Sequence, residues 1–252
     1  MIRMLTLTTA ALVLSACGTH TQLTSGADYL SRYDAPVTAT AQAVDLEVRE
    51  IAAVEPNLRF PARIGIARLL DGRLVSLPAD EAESWTTALD ALGPGYGEVV
   101  PVSPLVSAMV NSSSTYKDPA NVVNNIRRAA ARQHLDHVLI YEVTDRERFE
   151  KNGLSLADVS ILGLFVLPSR DVDVRATASA MLVDVRNGYP YGTASTFATK
   201  SGISSSYHAG DKKRKLSDRA RRLAVTELTH DVGEMFRELR LASAELRLAE
   251  LE

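Results

Sequence analysis

The chain has 252 residues, 46% of them apolar and 23% charged, with a formal net charge of −3. This composition suits one medium α/β or mixed domain able to bury a core. The mild acidity excludes a global attraction to nucleic acid, and a single cysteine excludes a disulfide within the chain.

Met1 to Arg3 form a short basic start, followed by the uncharged apolar run Met4 to Val13. That run has the length of a signal-peptide core and is far shorter than the ~20 residues that span a bilayer. It closes on Leu14-Ser15-Ala16-Cys17, which resembles the lipobox of bacterial lipoproteins. The resemblance implies that residues 1–16 are removed as a signal peptide, that the Cys17 thiol receives a diacylglycerol, and that its new amine is usually acylated. Several acyl chains give durable attachment, since each buried methylene contributes about 0.8 kcal/mol. Lipid on Cys17 also removes the only thiol, leaving none for catalysis or metal binding. Gly18 stands where an Asp retains such proteins in the inner membrane, so the same resemblance implies the outer membrane, with the domain facing the periplasm. A plain signal peptide with an incidental cysteine is the alternative.

Residues 17–40 read as the lipidated cysteine and a flexible tether: they are small and polar, contain Pro36 and show little periodicity. Tyr29, Leu30 and Tyr33 offer a way to dock it. Residues 41–252 read as one domain. Val44, Val48 and Ile51 predict a helix over 41–54, stopped by Glu55-Pro56-Asn57. Arg63 to Leu69 reads as the first strand, closed by Asp71-Gly72 into a hairpin with Arg73 to Leu77. Pro78 opens a helix to about Leu92, and the glycines of Gly93-Pro94-Gly95-Tyr96-Gly97 end it. Glu98 to Val102 reads as a short edge strand because Pro101 cannot donate to a ladder. Asn111 to Lys117 is a Ser-rich loop, and Asp118-Pro119 starts a helix whose buried face is Val122, Val123, Ile126, Ala129 and Ala130. His137 to Val143 is a buried strand.

Val172, Val174, Ala176, Ala178, Ala180 and Leu182 then alternate with outward residues, and Asn187-Gly188 predicts a tight hairpin to a strand beginning near Tyr191. The alanines make one face shallow enough for a helix to lie close. A final helix is expected over 217–250, capped by Ser217, with Val225, Leu228, Val232, Met235, Leu239, Ala242, Leu246 and Ala249 in heptad steps. Either its first half packs on the sheet while its tail protrudes, or it self-associates as a coiled coil. The order of elements argues for an α/β fold: a mixed sheet with a C-terminal antiparallel hairpin, helices packed on it and a long C-terminal helix.

No G-x-S-x-G, Walker A, H-E-x-x-H or G-x-G-x-x-G motif occurs. His134 and His137, with Asp136 and Glu142 nearby, straddle a helix-to-strand junction that spoils a common metal-binding face. Ser112 to Ser114 with His208 or His230 is the nearest thing to a hydrolase set, and nothing local positions a base or oxyanion donors. No catalytic residue, metal or cofactor beyond the covalent lipid is therefore expected. Lys212, Lys213, Arg214 and Lys215, continued by Arg219, Arg221 and Arg222, form a basic cluster. It suits anionic headgroups, a polyanion or an acidic partner, and equally a solvated helix start. Positive charge at a helix N-terminus is unfavourable, so helix stability does not explain it. Ser160 to Leu167 (SILGLFVL) is the most apolar run after the signal, read as a buried strand or a contact segment bracketed by Gly153 and Pro168.

Through Gly163 to Pro168 and Leu182 to Thr193, together with the lipobox, the chain resembles the rhombotarget lipoproteins. It is more distantly similar in layout to the periplasmic domain of the curli-secretion channel lipoprotein. The first resemblance implies a non-catalytic envelope lipoprotein, with Cys17 the only position carried over. Arg240 to Glu252 is charged and lacks the Gly-Gly and apolar tail of rhomboid-type sorting targets. The expected role is binding an envelope protein partner, without nucleic acid. The alternatives are an oligomeric secretion-channel-like lipoprotein, built through Ser160 to Leu167 or the C-terminal helix, and an envelope hydrolase.

Overall fold

The structure, a computed structural model, describes residues 18–32, 43–111, 119–151, 170–204 and 209–249. The elements are β1 (Gly18–Thr21), α1 (Gly26–Ser31), α2 (Ala43–Ala52), β2 (Ala62–Leu70), β3 (Arg73–Val75), α3 (Ala79–Asp90), β4 (Gly97–Pro101), α4 (Pro104–Val110), α5 (Pro119–Arg132), β5 (His137–Lys151), β6 (Arg170–Asp184), β7 (Pro190–Ser204) and α6 (Ala209–Ala249). The seven strands form one mixed sheet in the order β1-β7-β6-β5-β2-β3, with β4 also on β2. β2 runs parallel to β4 and β5, and every other pairing is antiparallel. The expected α/β fold with a C-terminal hairpin and long final helix is what the chain adopts.

Alternation sorts the strands onto two cores. Val174, Ala176, Ala178, Ala180 and Leu182 of β6 turn inward with Leu139, Tyr141 and Val143 of β5, beneath α6 and α3. Because the β6 residues are mostly alanines, α6 lies close: Ala220, Ala224 and Leu228 are wholly buried there, and Thr196 Oγ1 donates to the Ala224 carbonyl at 3.0 Å. On the other face Val138, Ile140 and Val183 pack under Val122, Ile126, Ala129 and Ala130 of α5. α5 covers only that end of the sheet. Along β6 and β7 the outer residues Thr177, Ser179, Thr193, Ser195 and Phe197 stay exposed, with the Arg175 guanidinium 3.9 Å above the Phe197 ring.

Three local expectations are corrected. The stretch read as tether is partly built into the domain: β1 pairs Gly18 with Ser195 and Thr21 with Gly192, and α1 follows it. Gly18-Thr19-His20-Thr21 carries no apolar alternation, and it is backbone pairing that adds it to the sheet. The β6–β7 connection is also not a two-residue turn. Among its residues only Gly188 has positive φ, +81°, and Asp184 N–H donates to the Tyr189 carbonyl across the four residues 185–188. α6 begins at Ala209, two turns before Ser217, so Lys212, Lys213, Arg214 and Lys215 lie in its opening turns instead of in a loop. Ser217 is no cap. Its hydroxyl donates to Asp145 Oδ2 at 2.6 Å, and Arg221 Nε donates to Asp145 Oδ1 at 2.8 Å, joining α6 to β5. Burial raises the Asp145 pKa, but these hydrogen bonds and the Arg221 charge outweigh it and hold the carboxyl below its ordinary value.

The Asp71-Gly72 turn is as expected, with φ of +50° and +71° at the two positions of a two-residue hairpin. β4 sits at the sheet margin as Pro101 requires. The heptad face of α6 is buried from Val225 to Leu239, while Leu246 and Leu248 are exposed on a tail that leaves the sheet.

Candidate functional site

The densest polar geometry lies where β6 turns into β7. Asp184 is wholly buried, and its Oδ1 accepts the backbone N–H groups of Arg186 at 2.7 Å and Asn187 at 3.2 Å, an Asx turn. Its Oδ2 accepts the Tyr191 hydroxyl at 2.9 Å, and that hydroxyl accepts the Asn57 N–H at 3.0 Å. Burial raises the Tyr191 pKa, so the phenol remains a neutral donor. His137, also wholly buried, sits edge-on to the Tyr191 ring at 5.3 Å, with Nδ1 3.8 Å from Asp184 Oδ2. That separation is too long for a hydrogen bond, and neither ring nitrogen has a partner. Burial lowers the His137 pKa against the pull of Asp184 and Asp136, favouring the neutral imidazole. With Asp184, Tyr191 and His137 all buried, the cluster fixes a turn.

The turn in turn holds the N-terminal arm. Gln22 N–H donates to the Tyr191 carbonyl at 2.8 Å, and the Tyr189 hydroxyl donates to the Thr24 carbonyl at 2.9 Å. Glu55 Oε1 accepts Ala27 N–H at 2.8 Å and the Ser25 hydroxyl at 3.1 Å, and Asn187 Nδ2 donates to the Glu55 carbonyl at 2.7 Å. The Ala27 hydrogen bond, opposed by slight burial and helped by Ser25, keeps the Glu55 carboxyl below its ordinary pKa. Gly26 is required there, since a Cβ would fall 2.5 Å from the Ala52 carbonyl oxygen.

Between this arm, α2 and the 187–190 turn lies an open groove of about 640 Å³, walled by Tyr29, Val48, Ile51 and Val54 with Arg127 and Tyr189. α2 has no buried residue, and Val44, Val48 and Ile51, whose spacing predicted the helix, are 55%, 55% and 67% exposed. Helical spacing reveals a common face, not what covers it.

The expected chemical sets do not assemble. His134 is exposed, with φ of +59° at the C-terminal end of α5, where Leu135 N–H returns to the Ala130 carbonyl; it ends the helix. His137 is interior, so the two histidines do not converge. Among the described residues no group of three His, Cys, Asp or Glu is placed to hold a metal. His230 is exposed on α6 beside Asp231 and Glu234. Ser112 to Ser114, His208, the Ser160 to Leu167 run and Cys17 lie outside the described residues. The glycines around Tyr96 cap and turn: Gly97 has φ of +109°, and a Cβ on it would fall 1.9 Å from the Ala62 carbonyl oxygen. Arg240 lies 4.6 Å above the Tyr96 ring. Sequence reasoning missed Asp184, although Asp-x-x-Asn-Gly ahead of two tyrosines carries the Asx-turn signal.

No protein-family model matches the chain, and no curated protein matches it. Among solved structures it is similar to a minor lipoprotein from Acinetobacter baumannii, at 11% identity and a TM-score of 0.36 over 71% of this chain and 92% of that one. It is also similar to the PelC dodecamer from Paraburkholderia phytofirmans, at 14% identity and 0.33 over 70% and 86%. Lipoprotein GNA1162 from Neisseria meningitidis follows at 19% identity and 0.31 over 63% and 97%. Several neighbours are thus lipoproteins by name, and at these TM-scores the likeness carries neither fold nor function to this chain.

Proposed function

We propose that the chain is a lipid-anchored envelope protein, acylated at Cys17, that works without catalysis by binding a protein partner. The carrying observation is the groove beside α2: an apolar helix face left uncovered on an otherwise well-packed domain, with the arm and turn that frame it fixed by hydrogen bonds. Exposed contiguous apolar surface of this kind marks interaction sites. Among the described residues no helix is long and apolar enough to cross a membrane; the attachment is assigned to the lipobox-like Leu14 to Cys17. Outer-membrane sorting through Gly18 and a place among the rhombotarget lipoproteins belong to the same proposal. Within the described residues the family resemblance rests on Leu182 to Thr193, the strand end and turn that hold the arm.

In-cell photocrosslinking from position 51 tests it. A discrete protein adduct from Ile51, absent when the crosslinker is placed at Thr177 on the far sheet face, supports the groove. Equal adducts from both positions, or none from Ile51, contradict it. A second reading, self-association, is favoured by the exposed outer face of β6 and β7 around Phe197 and by the exposed α6 tail. It predicts a large assembly after detergent extraction, and a monomeric profile removes it.

A further inference from the structure

We infer that the N-terminal end of α6 rests on anionic headgroups of the leaflet that holds the Cys17 lipid, so that the groove beside α2 points away from the membrane. This rests on lipid attachment at Cys17, and it adds the orientation of the domain and the chemistry it touches.

Two independent features lie toward the end of β7 that holds Ser204. The first is the direction in which the chain enters. β1 runs antiparallel to β7 with Gly18 opposite Ser195 and Thr21 opposite Gly192, so the first residue of β1 is the one on the Ser204 side. Cys17 is one peptide unit from Gly18, a Cα separation of about 3.8 Å. An anchor so close to an edge strand has no slack with which to turn the domain over. The sheet edge near Ser195 is held close to the leaflet.

The second is charge. α6 runs back along β7, with Thr196 bonded to Ala224 and Thr21 near Glu238, so residues 209–224 lie on the Ser204 side of Gly18, with Ala209 about 22 Å beyond Ala224 at 1.5 Å per residue. Residues 209–224 carry seven Lys and Arg against two Asp, whereas 225–249 carry three Arg against five acidic residues. Lys215, Arg219 and Arg222 are exposed, Lys200 adds a cation on β7 about 17 Å beyond Ser195 at 3.4 Å per residue, and Arg221 is paired with Asp145. A helix N-terminus disfavours cations, and the protein as a whole is acidic. The cluster therefore serves neither helix stability nor net charge. Juxtamembrane Lys and Arg are drawn to anionic lipid within a Debye length of the surface. The opposite end carries the 187–190 turn, α1, α2 and the α6 tail, and faces outward.

The test uses full-length protein, matured in bacteria and reconstituted into vesicles. With Cys17 lipidated, Asp218→Cys or Ile51→Cys provides the only free thiol for an environment-sensitive fluorophore. On vesicles containing phosphatidylglycerol the Asp218 probe is expected to be shielded from an aqueous quencher about threefold or more relative to phosphatidylcholine vesicles, and high salt should reverse this. The Ile51 probe should be equally accessible on both. Replacing Lys212, Lys213, Arg214 and Lys215 together by Gln should abolish the shielding while the protein still sediments with vesicles. An Asp218 probe indifferent to headgroup charge, or shielding at Ile51 instead, overturns the orientation alone. Failure to sediment with neutral vesicles overturns the lipid attachment as well.

Discussion

Replacing Asp184 by Ala removes the acceptor that closes the β6–β7 turn, and its cost can be worked from the geometry. Three donors lose their partner: the N–H groups of Arg186 and Asn187 and the Tyr191 hydroxyl, at 2.7, 3.2 and 2.9 Å. Hydrogen bonds to a charged acceptor contribute about 1.5–3 kcal/mol each, and a buried donor left bare costs about 1–3 kcal/mol. The Tyr191 hydroxyl keeps Asn57 as its donor and can reorient, and the Arg186 and Asn187 side chains are exposed, so water reaches part of the turn. The expected loss is therefore about 3–5 kcal/mol, below the simple total. Asp184→Asn keeps the volume and one acceptor, and should cost about 1–2 kcal/mol. Equilibrium urea unfolding, followed by tryptophan fluorescence from the buried Trp85, measures both. In a double-mutant cycle with Tyr191→Phe, the pair should couple by about 1 kcal/mol or more. An Asp184→Ala loss below about 1 kcal/mol, or additivity with Tyr191→Phe, would refute the assignment of this carboxylate as the centre of the turn.

The depressed pKa of His137 gives stability a pH dependence of known sign. The unfolded chain takes up a proton near pH 6.5, and the folded one resists it. This stability is full above about pH 6.5 and is lost as pH falls through that value toward the lower folded pKa. Glu55 and Asp145, both held low, lose their contributions only below about pH 4.5. The urea midpoint should thus fall between pH 7.5 and 5, and His137→Phe should flatten the slope; a wild-type midpoint constant over that range contradicts the buried neutral imidazole. Gly97→Ala places a methyl against the Ala62 carbonyl at positive φ, and should destabilise by about 2 kcal/mol or more on urea unfolding, with a neutral result telling against the β2–β4 register. Val48→Lys, on the same uncovered helix face, should leave stability within about 0.5 kcal/mol of wild type yet remove the adduct formed from position 51. A large loss of stability would show that the α2 face is packed after all.

Much of the fold was legible because its signals are local. The alternation from Val174 to Leu182 gave the inward face of β6, and the alanines in it foretold how closely α6 could lie. Asp71-Gly72 named its own turn. What stayed hidden depends on contacts between distant residues. β1 is recognisable only through the backbone groups of Gly192 to Ser195 that it pairs with. α2 has the periodicity of a packed helix without the packing, because spacing encodes a face and not its neighbour. Asn187-Gly188 signalled a turn but not its type, which the Asp184 carboxylate decides by capturing two backbone amides. The basic cluster was plain in the sequence, whereas its position on the Ser204 side of the point where β1 joins the sheet needed the register of β1 and the earlier start of α6.

Everything proposed for this protein depends on what is attached to Cys17, and intact mass spectrometry of the N-terminal peptide from membrane-extracted protein reads that directly. The expected peptide begins at Cys17 and carries diacylglycerol, with or without an amide-linked acyl chain. A peptide beginning elsewhere, or an unmodified Cys17, would contradict the anchored orientation and with it the outward-facing groove.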